Sequence, residues 1–106
     1  MSNAIVLVLT TFEHLNDAQS FTTALLDQQL ASCISIHSSV SSHYTWNQKR
    51  CSTTEIPVTI KTIANQLPAL SVFFDTHHPY ECPEYVVISG QGSETYANWV
   101  RNQVKS

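Results

Sequence analysis

Apolar residues recur in more than one rhythm along this chain, and each rhythm predicts a different kind of element. Ile5-Val6-Leu7-Val8-Leu9-Thr10-Thr11 is apolar or β-branched at odd and even positions alike, the pattern of a central strand covered on both faces. From Leu15 to Leu30 the period lengthens. Ala18, Phe21 and Leu25 share one helical stripe while Asn16, Asp17, Gln19, Gln28 and Gln29 lie off it, so an amphipathic helix packed on a sheet is expected, with acidic Glu13 and Asp17 near its start. Ala31 to Trp46 spreads Cys33, Ile34, Ile36, Val40, Tyr44 and Trp46 among serines and threonines, too long a run for one ordinary strand unless it bends at Ser38-Ser39. After the short polar Asn47-Gln48-Lys49-Arg50, the run Ser52 to Lys61 alternates cleanly, which predicts a long hairpin. Its second arm puts Ile56, Val58 and Ile60 on one face and Glu55, Pro57, Thr59 and Lys61 on the other, with Pro57 marking an edge or a bulge.

Helical periodicity returns at Ile63, Leu67, Leu70 and Phe74, with Asn65 as the expected N-cap and Pro68 in the first turn. Tyr85 to Ser89 reads as a strand closed by Gly90-Gln91-Gly92, and Ser93 or Glu94 opens a last helix bearing Tyr96, Trp99 and Val100. The order βαββαβα predicts an α+β fold: one domain over residues 1–106, a ferredoxin-like βαββαβ sandwich with an extended hairpin and a C-terminal helix.

Composition adds a constraint on assembly. Charged residues are only 12% of the 106 positions, about half the usual share, while 42% are apolar. Two helices can cover one face of such a sheet, yet the first and last strands are apolar on both faces and the hairpin offers a long free edge. The expected solution is a closed homo-oligomer in which copies of the chain cover one another. A net charge of −3 with no Lys/Arg run argues against nucleic acid as a partner, since Lys49-Arg50 is the sole adjacent basic pair. Cys33, Cys51 and Cys82 are odd in number and in no CxxC spacing, and Ala4 to Leu9 is too short to span a membrane, so reduced thiols and a cytoplasmic location are expected, with no membrane partner.

Candidate chemistry concentrates in His77-His78-Pro79-Tyr80-Glu81-Cys82-Pro83-Glu84, where two prolines fix the backbone around imidazoles, a phenol, a thiol and carboxylates. Neutral imidazole suits Cu(II) or Zn(II), so His77 and His78 are candidate ligands; the other reading is a helix-to-strand connection with surface histidines that bind metal adventitiously. Neighbouring side chains on extended backbone point apart, so one ion would need further donors, such as Glu55 or groups of an adjoining subunit. Glu55 and Lys61 share a strand face and read first as an interfacial ion-pair network, ahead of a ligand role. No Ser/His/Asp order, glycine-rich phosphate loop or HExxH is present, so no catalysis is expected.

Taken together, Leu25-Leu26 through Leu30-Ala31-Ser32-Cys33, Tyr44-Thr45-Trp46, Glu55 with Ile60-Lys61-Thr62, His78-Pro79-Tyr80 with Pro83-Glu84, and Tyr96 with Trp99 make the chain resemble the CutA divalent-cation tolerance family over nearly its whole length. The resemblance implies a tight homotrimer built on strand pairing between subunits and similar to the PII signalling proteins. It also implies binding of copper or other divalent cations in response to metal ion, with no cofactor required for folding. Paired histidines that ligate metal in some members match His77 and His78, but Thr10 stands where those members have a cysteine ligand, and a hydroxyl is a poor substitute for thiolate toward Cu(I). Gln48 likewise stands for a glycine usual in the hairpin turn, and Ser38-Ser39 for Pro-Gly at the bend. The PII-like architecture gives a second reading: a signalling or scaffold trimer that holds a small anion in inter-subunit clefts where Trp46, Lys61, Tyr80 and Glu84 meet.

Overall fold

The computed structural model describes residues 2–105. Its elements are β1 (Ala4–Phe12), α1 (Leu15–Asp27), β2 (Cys33–Ile36), β3 (Val40–Trp46), β4 (Lys49–Thr62), a 3-10 turn (Ala64–Gln66), α2 (Leu67–His77), β5 (Val86–Gln91) and α3 (Glu94–Gln103). The strands form one antiparallel sheet in the order β2-β4-β1-β5, and β3 pairs with the outer half of β4. The fold is therefore mixed α+β, with β1 between β4 and β5 as its apolar sequence predicts.

Fourteen residues of β4, at about 3.3 Å each, span roughly 46 Å, and they set the 48 Å long axis of a molecule only 24 Å across. The expected bend falls at residues 37–39, where β4 exchanges β2 for β3: Ile36 faces Val58, and the next pair is Val40 with Glu55. Pro57 sits at this handover. Its carbonyl accepts the His37 N–H at 2.9 Å, so the N–H that proline lacks would have pointed to the same gap and no ladder bond is lost.

Local chemistry accounts for the element ends. The first helix stops at Asp27, three residues short of the expected Leu30, because Gln29 turns left-handed at φ 57°. Leu30 N–H then bonds the Leu25 carbonyl at 3.3 Å and Gln29 N–H the Leu26 carbonyl at 3.0 Å, a Schellman closure sealed by the buried pair Leu25 and Leu30. Asn65 is not the N-cap expected of the second helix. It lies inside the 3-10 turn, and Gln66 occupies the cap without a side-chain cap bond, its amide instead donating to the Lys105 carbonyl. Ser93 does cap α3, its Oγ accepting the Tyr96 N–H at 3.2 Å.

The hairpin turns on two residues, Asn47 (φ 52°) and Gln48 (φ 65°), the paired left-handed conformation of a type I′ turn. Asparagine tolerates it and glutamine does not do so readily. Gln48→Gly is expected to raise stability by about 0.5–1 kcal/mol, the strain relieved less the backbone entropy glycine loses; an unchanged or lower thermal midpoint would show the turn to be unstrained.

Helices α1 and α2 cover the sheet face carrying Val8, Phe12, Val58 and Ile60, and Phe21, Leu25, Leu70, Phe73 and Phe74 complete that core. The opposite face carries Leu7 and Leu9, half-buried, beside Val86 and Ile88, which stay 46% and 43% exposed.

Candidate functional site

His77 and His78 leave the end of α2 in opposite roles. His78 is 8% exposed, its ring stacked on Phe12 at 4.4 Å and flanked by Phe74, Phe21 and Tyr80. Both nitrogens are engaged. Nδ1 accepts the Tyr80 N–H at 3.1 Å, so Nε2 carries the proton and donates to the Thr11 carbonyl at 3.0 Å, with Thr10 Oγ1 at 3.1 Å. Burial pushes its pKa below the usual 6.5, and the Thr11 bond and the Asp17 carboxylate oppose that shift without overcoming it. His78, expected beside His77 as a ligand, is thus a core imidazole with no lone pair to offer in this conformation. His77 is exposed and stacks on Phe73 at 4.0 Å, and its Nδ1–H donates to the Phe73 carbonyl at 3.2 Å, which leaves the lone pair on Nε2.

The loop beyond His78 folds back over the sheet face away from the helices. Tyr80 Oη donates to Glu55 Oε2 at 3.1 Å, and Thr11 Oγ1 donates to the same oxygen at 3.0 Å. Burial first, and the Glu55 carboxylate second, hold the Tyr80 phenol well above its ordinary value of 10.0. This neutral phenol is a hydrogen-bond donor over the whole physiological range and not a base. One backbone thus ties the buried imidazole to the half-buried carboxylate, through Thr11 on one side and Tyr80 on the other.

Glu55 opens onto a cleft of about 710 Å³ between the 80–84 loop, the end of β1 and the inner face of the hairpin. Of the expected cleft residues, Trp46, Tyr80 and Glu84 line it together with Glu55; Lys61 does not. Lys61 lies toward the far end of β4, six residues on from Glu55, where its ammonium sits 5.6 Å from the centre of the Tyr96 ring on α3. Two residues of alternation keep Glu55 and Lys61 on one face, as the sequence suggested, but strand rise separates them by roughly 20 Å.

Glu81 and Cys82 of the candidate stretch also line the cleft; sequence reasoning missed Thr11 and Glu13 at and just beyond the end of β1 and His43, Tyr44 and Cys51 on the hairpin. The signal present was the period-2 pattern of β3, which sets Val40, Tyr44 and Trp46 on one side. Trp46 and Trp99 are 50% and 44% exposed in the single chain. Four carboxylates line the cleft, and none of its described lining residues is Lys or Arg, so its field attracts cations. Among the described residues no three His, Cys, Asp or Glu side chains converge as a metal-holding group, and all three cysteines are free thiols. No described helix is long and apolar enough to cross a membrane.

A five-stranded antiparallel sheet with a projecting hairpin, two helices on one face and an acidic aromatic cleft on the other makes this a small protein of the mixed α+β class. Comparison with known proteins gives the particular family. Residues 6–103 match the family model described as CutA1 divalent ion tolerance protein, and the chain belongs to that family. It is 32% identical to Protein CutA of Homo sapiens over 84% of its own length and 50% of that protein's, so the chain spans about half of that relative. It is 30% identical to the divalent-cation tolerance protein CutA of Yersinia pestis, over 93% of this chain and 83% of that one. Among solved structures, CutA1 from the psychrotrophic bacterium Shewanella sp. SIB1 superposes over 100% of both chains with a TM-score of 0.92 at 31% identity.

Proposed function

We propose that this protein binds divalent cations, copper foremost and zinc as the other candidate, as a cytoplasmic homotrimer of PII-like, ferredoxin-like architecture that responds to metal ion. The observation that carries the reading is the charge of the cleft: Glu13, Glu55, Glu81 and Glu84, with His43 beside them and no lysine or arginine among the described lining residues. Glu55 is the carboxylate donor in the cleft; His77, which does not line it, offers its exposed Nε2 from the end of α2, and a neighbouring subunit supplies what one chain does not bring together. Thr10 is bonded to His78, so thiolate chemistry toward Cu(I) at that position is absent from the proposal. The role proposed is binding and not catalysis, for His78 and Tyr80 are locked in structural bonds. A signalling or scaffold trimer holding a small anion is the weaker reading, because Lys61 lies away from a cleft whose walls repel anions.

Calorimetric titration of Cu(II) into the wild type, His77→Ala and Glu55→Gln tests this. His77→Ala is expected to weaken binding at least tenfold and Glu55→Gln by a smaller factor, with native mass spectrometry giving the metal count per assembly; equal affinities in all three would remove these residues from the site.

A further inference from the structure

The five basic residues of this chain are not spread evenly. Lys61 lies over Tyr96, Arg101 is bonded to Asn98 and to the Ser2 carbonyl, and Lys105 sits by Gln29 and Gln66 beyond the inner end of β4. Lys49 and Arg50 alone stand at the opposite extreme, exposed at the hairpin tip, with no ion pair or side-chain hydrogen bond among the described residues. The carboxylates of Glu81 and Glu84 are likewise exposed and unpaired among the described residues, on the wall of the acidic cleft. The single ion pair described in the chain is His14 with Glu13.

An unpaired cationic tip and an unpaired anionic cleft on one molecule are complementary, but they cannot meet within it. The β3–β4 ladder is continuous from Val40 with Glu55 to Trp46 with Lys49, so the tip is held outward along the long axis and does not fold back. A contact between two different patches of identical chains is head-to-tail and closes into a ring when the rotation allows. We propose that the Lys49-Arg50 tip of one copy seats in the acidic cleft of the next copy, against Glu81 and Glu84. The second copy's two cations thereby meet Glu81 and Glu84 and leave Glu13 and Glu55, the other two carboxylates of the cleft, to the divalent ion proposed above. This rests on the oligomer reading above and adds to it the contact that selects orientation and register.

The test is a charge swap, followed by sedimentation on dilution, in chelator so that metal plays no part. Lys49→Glu/Arg50→Glu and Glu81→Lys/Glu84→Lys are each expected to raise the subunit dissociation constant about tenfold or more at low salt, with the difference shrinking at high salt. Combining all four changes in one chain is expected to return it to within a fewfold of wild type. The neutral pair Lys49→Gln/Arg50→Gln should fall between wild type and the reversal, and circular dichroism of each variant monitors folding. A wild type that assembles while both reversals leave assembly unchanged, or a combined variant no better than either half, would overturn this contact and leave the oligomer standing. A wild type that is a single chain at every concentration would overturn both.

Discussion

Replacing His78 by alanine is expected to lower the unfolding free energy by roughly 3 kcal/mol, on the scale of deleting a buried ring. The imidazole fills the space between Phe12 and Phe74 and satisfies two main-chain groups, so its removal opens a cavity and leaves the Tyr80 N–H and the Thr11 carbonyl unpaired. Guanidinium unfolding at a fixed protein concentration near neutral pH measures it, and a loss under about 1 kcal/mol would show the ring to be dispensable. The same residue sets a pH dependence. Because burial holds the folded pKa below 6.5, the unfolded chain takes up a proton that the folded chain refuses. Its contribution is therefore intact above pH 6.5 and is lost as pH falls from there toward the folded value. His78→Phe, which keeps the stacking and cannot titrate, should show a flatter stability profile across that interval than the wild type.

The second large effect lies on the opposite face of the sheet. Leu9→Asp is expected to shift the protein from assembled to single-chain form, raising the dissociation constant at least a hundredfold, or about 3 kcal/mol. Leu9 faces away from the helices, beside Val86 of β5 and Thr59 of β4, on the surface that no helix of the chain's own pair, α1 and α2, covers. In a closed assembly each copy would bury an unpaired carboxylate there completely, whereas the single chain, in which position 9 is half-buried, leaves it partly in water. The isolated chain should therefore lose less stability than the assembly loses affinity. Retention of the wild-type mass by Leu9→Asp would place the interface elsewhere.

Much of this was legible in the sequence because it depends on local periodicity. The two-sided apolar run of β1, the stripes of α1 and α2 and the alternation of β4 each report a burial environment that the fold then supplies. Pro57 was readable for the same reason: a residue without an N–H can sit in an inner strand solely where a neighbour is missing, and the β2–β3 bend provides that gap. Asn65 misled because a 3-10 turn intervened and shifted the helix start by a residue type that no cap rule favours. The difference between His77 and His78 was half legible. They do take opposite roles, but His77 is the last residue of α2 and only His78 is extended, and which one enters the core depends on Phe12 and Thr11, more than sixty residues earlier.

The cleft was legible least. Glu55 meets Thr11 across 44 residues and Tyr80 across 25, and no spacing rule forecasts such meetings. Lys61 was grouped with Glu55 because alternation correctly put both on one face. Alternation carries no information about distance along a strand that runs nearly the length of the molecule. The acidity of the wall joins Glu13, which the sequence offered only as a helix-start residue, to Glu81 and Glu84 of the candidate stretch, and that meeting arises once the loop folds over the hairpin.

Sedimentation equilibrium of the metal-free wild type at micromolar concentration bears most directly on whether neighbouring copies complete this fold and frame its cleft. A particle of about three times the 11.9 kDa chain mass, unchanged on moderate dilution, is the expected result. A stable species of 11.9 kDa, with Val86 and Ile88 facing water, would contradict it.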